Sequence, residues 1–226
     1  MCGRLALYAA VETLIELFLL GLLPEVRARY NIAPTQPLPV VVFRDGQRQL
    51  EHHRWGFVPR WVPDPRRGRP LINARSETAA TKRTFKSAFA HRRLLVPASG
   101  FYEWERSGKA RLPWYFTRED GRPLALAGLW ETWEDADGEV LTNATILTTA
   151  ANQLMAPIHD RMPVILPESA WEQWLDPDGD TAALQTLLAP WAGGGLRRFR
   201  VGTHVNNARN DDPTCIEPLQ ADLFGG

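Results

Sequence analysis

The succession of strand-like segments between Leu94 and Thr149 restricts the fold of this chain most. LLVPA (Leu94 to Ala98), GFYEWE (Gly100 to Glu105), PWYFTR (Pro113 to Arg118), LALAGLWE (Leu124 to Glu131) and LTNATILTT (Leu141 to Thr149) follow in turn, broken by the turn pairs Ser107-Gly108 and Asp137-Gly138. Segments rich in β-branched and aromatic residues, joined by short Gly-containing turns, pair antiparallel with their neighbours in sequence. PLPVVVF (Pro37 to Phe43), the turn Asp45-Gly46 and a second strand up to Trp55 read as a hairpin, and PVIL (Pro163 to Leu166) and RRFRVGT (Arg197 to Thr203) as further strands.

Helical spacing is confined to a few places. Val11 to Leu20 carries it, with Gly21 as a stop and Pro24 beyond. Ser76 is placed to N-cap a segment whose Phe85, Ala88 and Phe89 keep helical spacing up to Arg93. Two short helices follow at Glu168–Leu175 and Thr181–Leu188. Locally paired strands with helices at intervals indicate an α+β fold: a mainly antiparallel sheet or open β-barrel-like core with flanking short helices. With no repeat, low-complexity tract or linker, residues 1–226 read as a single domain.

Two cysteines, Cys2 and Cys215, make no disulfide framework and point to a reducing, cytoplasmic setting. The apolar stretch Leu14 to Leu23 contains Glu16 and Gly21, is too short to span a bilayer and lacks the basic start of a signal peptide, so no membrane partner is expected. The formal net charge is +0, but its distribution is uneven. From Arg54 to Arg111 there are 14 Lys/Arg against 4 Asp/Glu, a balance of +10, which leaves −10 for the remainder. Such asymmetry suits an anionic ligand, or two segments that face one another. The stretch PRWVPDPRRGRP (Pro59 to Pro70) is a basic, exposed loop.

Four segments combine unusual residue types with turn or strand contexts: MCGR (Met1 to Arg4), INARSET (Ile72 to Thr78), PASGFYEW (Pro97 to Trp104) and PIHDRMPVIL (Pro157 to Leu166). If Met1 is removed, Cys2 offers a free α-amine and a thiol on adjacent carbons, a pair no internal residue has. Strand alternation puts Phe101, Glu103 and Glu105 on one face and Tyr102 and Trp104 on the other. Glu103 among those aromatics suits a general acid or base, or a salt bridge to a local arginine. His159 suits a proton shuttle, or a surface hydrogen bond. Asn73 and Arg75 suit orientation of a reactive amine and grip on a phosphate, or a turn and a cap.

MCGR, RYNIAPTQ (Arg29 to Gln36), WGFVPRW (Trp55 to Trp61), INARSET, GFYEW, AGLWE (Ala127 to Glu131), ILTTAAN (Ile146 to Asn152) and IHDRMPVIL occur in this order. Together they resemble the SOS response-associated peptidase (SRAP) family, whose members process abasic sites in DNA; the resemblance spans Met1 to about Leu166, and THVNNARND (Thr203 to Asp211) resembles the family's closing segment. The resemblance implies that the initiator Met leaves and that Cys2 reacts, through nitrogen and sulfur, with the ring-opened aldehyde of an abasic site in single-stranded DNA. It implies that Asn73 orients the Cys2 amine, that Glu103 moves protons, and that His159 is a second proton donor. Arg4 and Arg75 would bind flanking phosphates, and Trp61 would stack on a base or anchor its loop. Lyase and peptidase activities accompany the family label; only Met1 precedes Cys2 here.

Other readings of the same residues are a thiol peptidase with Cys2 as N-terminal nucleophile and a non-covalent single-strand binding module. A zinc site has no CxxC or HxxxH spacing to support it, so no metal or other cofactor is expected. A monomer is expected.

Overall fold

The computed structural model describes residues 2–21, 25–64, 70–135 and 137–219. The chain opens with β1 (Leu5–Leu7), α1 (Val11–Phe18), β2 (Arg29–Ile32), β3 (Pro37–Arg44) and β4 (Gln47–Trp55). Then come β5 (Asn73–Arg75), α2 (Ser76–Ala79), α3 (Lys86–His91), β6 (Arg93–Ala98), β7 (Gly100–Ser107) and β8 (Ala110–Arg118). β9 (Leu124–Glu134), β10 (Val140–Ala150), β11 (Arg161–Pro163), α4 (Trp171–Leu175), α5 (Thr181–Thr186) and β12 (Leu196–Arg200) complete it. The fold is α+β, as the sequence indicates, and no helix among the described residues is long and apolar enough to cross a membrane.

The Asp45-Gly46 turn is the clearest link from sequence to architecture. Both residues have positive φ, 50° and 77°, the two-residue turn whose twist matches paired strands. It holds β3 and β4 in register from Pro37↔Arg54 to Arg44↔Gln47. β3 pairs with β6, β6 with β9, and β9 with β10 from Gly128↔Ile146 to Glu134↔Val140. β10 then returns to β4 in parallel, Asn143↔Arg54 and Ala144↔Trp55, and the ring of five strands closes. Closure leaves the ring no free edge. The far end of β10 also carries β5 in parallel and β11 antiparallel.

A second, five-stranded sheet runs in the order β12-β8-β7-β1-β2, antiparallel throughout. Ser99 couples the two sheets: its N–H donates to Ala6 O (2.8 Å), its Oγ accepts from Tyr8 N (2.9 Å) and its carbonyl accepts from Thr117 Oγ1 (2.7 Å). The main core includes Val41, Leu95, Leu126, Ile146 and the stacked pair Phe101–Phe116, with centroids 5.0 Å apart. Each such side chain contributes roughly 1.5–3 kcal/mol on burial. Tyr102 and Tyr115 occupy a smaller cluster with Ala6, Val201, Val205 and Cys215. The alternation along β7 therefore divides its side chains as the sequence requires. Gly100 is a close approach: a Cβ there would lie 2.4 Å from the Phe116 carbonyl oxygen.

Several element boundaries differ from the sequence reading. α1 ends at Phe18, not Leu20, because Leu19 turns left-handed (φ 52°) and Gly21 N–H bonds Arg48 O (3.0 Å), docking the exit against β4. Pro24 and residues 65–69 of the basic loop lie outside the described residues, as does Met1. The helix expected from Ser76 to Arg93 is two pieces, with Ser76 inside the first turn of α2 and no side-chain cap. Turns at residues 80–85 break it, yet Phe85, Ala88 and Phe89 are buried together, so the apolar spacing records a shared face rather than one helix. Arg93 belongs to β6, where its guanidinium donates to Trp174 O (2.8 Å) and Phe89 O (2.6 Å), satisfying carbonyls at the ends of α4 and α3. The strand read at Pro163–Leu166 begins earlier, at Arg161, and Ile165 continues only as a single bridge to Leu126.

Candidate active site

Residue 2 is placed by the pairing of β1 with β7. Leu5 lies opposite Phe101 and Ala6 opposite Gly100, and Tyr102 N–H donates to Arg4 O (3.0 Å). Continuing that register sets Gly3 opposite Glu103. From the other side, β10 is the frame: Ile146↔Asn73 fixes the start of β5, and Ala150↔Arg161 fixes β11 just after His159. Two strand systems thus deliver four residues from distant parts of the chain to one place.

Cys2 is buried, 1% exposed. Its carbonyl accepts a hydrogen bond from Asn73 Nδ2 at 2.8 Å, and the same amide donates to Ile72 O at 2.8 Å. Asn73 Oδ1 is buried with no hydrogen-bond partner among the described residues. Burial first, and the nearby Glu103 carboxylate second, push the Cys2 thiol up to about 12. The thiol is therefore neutral at physiological pH. Glu103 is itself buried, and its Oε1 accepts from Trp104 N–H at 3.3 Å.

His159 stands between two adjoining clefts. One, of about 790 Å³, is lined by Asn73, Arg75, Thr78, Lys82, Phe85 and Arg161 among others; the second, of about 720 Å³, by Gly3, Glu103, Trp104, Arg106 and Arg111. Both share His159 and Asp160. The His159 Nδ1 receives the Arg161 N–H at 3.0 Å and lies 2.8 Å from Asp160 Oδ1. An imidazole on the shared wall of both clefts is placed to pass a proton to or from a molecule in either one.

Other residues expected from the sequence take distinct positions. Arg75 is exposed on the first cleft. Arg4 is half-buried, with Nη1 donating to Asn31 Oδ1 (2.6 Å) and Val205 O (2.8 Å) and the guanidinium over the Trp104 ring at 5.6 Å; burial lowers its pKa. Trp61 is 58% exposed, with Arg83 over its ring at 5.3 Å, on the basic loop rather than in the lining of either cleft.

Sequence reasoning missed the cations Lys82, Arg106 and Arg111 on the cleft walls, whose only signal was the local charge excess. It also missed Asn31, buried, whose Nδ2 faces the carbonyls of Val205 (3.2 Å), Asn207 (3.0 Å) and Asn210 (2.6 Å). Asp211 Oδ1 accepts from Tyr30 N (2.6 Å) and Asn31 N (2.9 Å), and its other oxygen from Arg29. Residues 203–211 thereby back the strand pair that carries Arg4 and Cys2.

Comparison with known proteins decides the lineage. The family model described as SOS response associated peptidase (SRAP) matches residues 1–208. The chain belongs to the SRAP family. This SRAP chain is 37% identical over 222 residues to the abasic site processing protein YoqW of Bacillus subtilis, covering 96% of this chain and 99% of that one. It is 36% identical over 181 residues to the abasic site processing protein YedK of Escherichia coli, covering 75% of this chain and 78% of that one. A crystal structure of a Bacteroides thetaiotaomicron protein shares the fold with TM-score 0.84 at 23% identity, covering 96% of this chain and 100% of that one.

The SRAP match runs through the segments that build the site and through the Asn31 hub. One donor cluster borders that hub through the Asn210 carbonyl: His204, Asp212 and Cys215 place ligand-type atoms within 4.8 Å of one another. His204 Nε2 already bonds Asp212 Oδ2 (2.9 Å), and Cys215 Sγ donates to Asn210 O (3.5 Å), so in this SRAP chain the trio is a hydrogen-bonded clasp on the closing segment.

Proposed function

We propose that this SRAP protein recognises abasic sites in single-stranded DNA and captures them covalently through Cys2 once Met1 has been removed. The relatives YoqW and YedK carry the name abasic site processing protein, which supports the substrate class. The observation that supports the chemistry is that Asn73 bonds the Cys2 carbonyl, Glu103 lies close to the Cys2 thiol, and His159 shares one cleft with Gly3 and Glu103 and the other with Asn73.

The steps follow from the groups present. The Cys2 α-amine, with an ordinary pKa of about 7.7–8.0, is partly neutral at pH 7 and adds to the C1′ aldehyde. Asn73, on the Cys2 carbonyl, keeps the residue in position. Protonation of the carbinolamine hydroxyl by Glu103 or His159 expels one water and leaves an iminium. The thiol sulfur then bonds to that carbon, and its proton passes to the base while the iminium electrons return to nitrogen. The product is a thiazolidine, and the net change is loss of one water. An imine alone would acidify the C2′ proton and invite strand scission by β-elimination; ring closure removes the imine. Arg75 and the cleft cations Lys82, Arg106 and Arg111 suit the flanking phosphates, and Trp61 suits a neighbouring base.

The protonated thiol bears on the alternative. A peptidase needs Cys2 to attack first as thiolate, and burial beside Glu103 opposes that form. In the capture reaction the amine attacks first and the thiol adds only to an iminium already attached to the same residue. The test is a denaturing gel of protein incubated with single-stranded DNA bearing one abasic site. Wild type is expected to give a heat-stable shifted band and Cys2→Ala none; an equal band from Cys2→Ala would end the reading.

A further inference from the structure

The AGLWE segment has no part in the chemistry above, yet Glu131 is buried at 5% exposure in a protein surface rich in arginine. Its Oε1 accepts from Arg60 Nε (2.6 Å) and its Oε2 from Arg92 Nη2 (2.8 Å). Two residues along β9, the Trp133 indole N–H donates to Val62 O (2.7 Å). Across the β9–β10 pair, Asn143 Oδ1 accepts from Val58 N–H (2.8 Å). Residues 58, 60 and 62 are thus each tied to the barrel wall by a different side chain of β9 or β10. Between the last two lies Trp61, the most exposed aromatic among the described residues at 58%, backed on one face by Arg83. Arg83 follows Lys82, which lines the first cleft.

We propose that Glu131, Trp133 and Asn143 are positioning residues that hold the start of the basic loop so that Trp61 is presented as a rigid platform for an unpaired nucleobase beside the lesion. Anchoring alternate residues leaves the intervening side chain facing outward, and an indole fixed in advance loses less entropy when a base stacks on it. Arg60 is the exposed end of the Glu131 tie, its side chain 62% exposed, so the tie can be cut from the solvent side without opening the core. This inference rests on single-stranded DNA being the ligand, and not on the covalent step.

The experiment measures non-covalent binding of intact oligothymidylate, then capture of an abasic oligonucleotide across DNA concentrations. Trp61→Phe identifies the part of the fluorescence quenching that belongs to Trp61. Glu131→Gln and Arg60→Gln are expected to weaken oligothymidylate binding about five- to tenfold, the scale of one base stack, with the saturating capture rate unchanged. In a Trp61→Ala background neither substitution should weaken binding further. Glu131→Gln removes a buried charge and can misfold; Arg60→Gln reads the same tie from the surface. If Arg60 acted only by touching phosphate, its loss would lower the salt slope by about one contact and would add to Trp61→Ala. Additive losses, or wild-type binding by Arg60→Gln, overturn the proposal. Absence of covalent adduct in wild type with these binding effects intact would instead overturn the capture chemistry alone.

Discussion

Raising the pH should destabilise this protein through Cys2 in a way that can be isolated. In the fold the thiol holds its proton up to about 12, chiefly because burial penalises the thiolate and secondly because Glu103 lies close. Unfolded, the same thiol titrates near its ordinary value of about 8.5–9. Between those limits the native state binds the proton and the unfolded state has lost it, so stability falls as pH rises. Below pH 8 the contribution is fully present; from pH 9 upward it declines by about 1.4 kcal/mol per pH unit, to a total on the order of 4 kcal/mol by pH 12. Tyr102 and Tyr115, also buried and raised, add to the same trend. The comparison with Cys2→Ala removes their share. Urea unfolding at pH 8, 9, 10 and 11 should show wild type losing about 1.4 kcal/mol more than Cys2→Ala between pH 9.5 and 10.5. Parallel pH profiles would refute the reasoning, because they would mean a thiol that titrates as if in water.

Asn31→Ala takes a donor from three backbone carbonyls, of which Val205 O keeps Arg4 and Asn210 O keeps Cys215, and frees Arg4 Nη1 from its 2.6 Å partner, so chemical denaturation should show a loss of about 2–3 kcal/mol. Gly100→Ala puts a methyl 2.4 Å from the Phe116 carbonyl oxygen, which must separate β7 from β8; a fall in Tm with at least 2 kcal/mol lost, roughly the cost of overpacking, is expected, and capture should weaken with it because β7 carries Glu103. Glu103→Gln and His159→Ala should each slow adduct formation about 10²-fold or more while leaving oligothymidylate affinity within about twofold, read by quenched gel time courses and fluorescence titration.

Much of the fold was legible because its strands alternate and its turns are chemically explicit. The Asp45-Gly46 hairpin and the face assignment of Phe101 against Tyr102 follow directly from local pattern. The broken helix between Ser76 and Arg93 was not legible, since Arg93 leaves the helical face to bond carbonyls of two helices, a tertiary demand with no local trace. Closure of the barrel by the parallel contact of β10 with β4 is likewise long-range. At the site, residue types nominated Cys2, Asn73, Glu103 and His159. Their juxtaposition came from two strand registers that no short segment encodes. Asn31 and Glu131 escaped notice because a buried polar residue in a strand is identified by its partners, which here lie about a hundred or more residues away or across a barrel wall.

Tandem mass spectrometry of the protein–DNA adduct tests the central claim most directly. After nuclease and protease digestion, the sugar remnant should sit on the N-terminal peptide at Cys2, with Met1 absent, the thiol unreactive to alkylation, and a mass one water below the sum of the parts. It should survive heating without borohydride, whereas Cys2→Ser should give an adduct at the same residue only when borohydride is present. A remnant on any other residue, or an adduct whose Cys2 thiol still alkylates, would contradict capture by nitrogen and sulfur together.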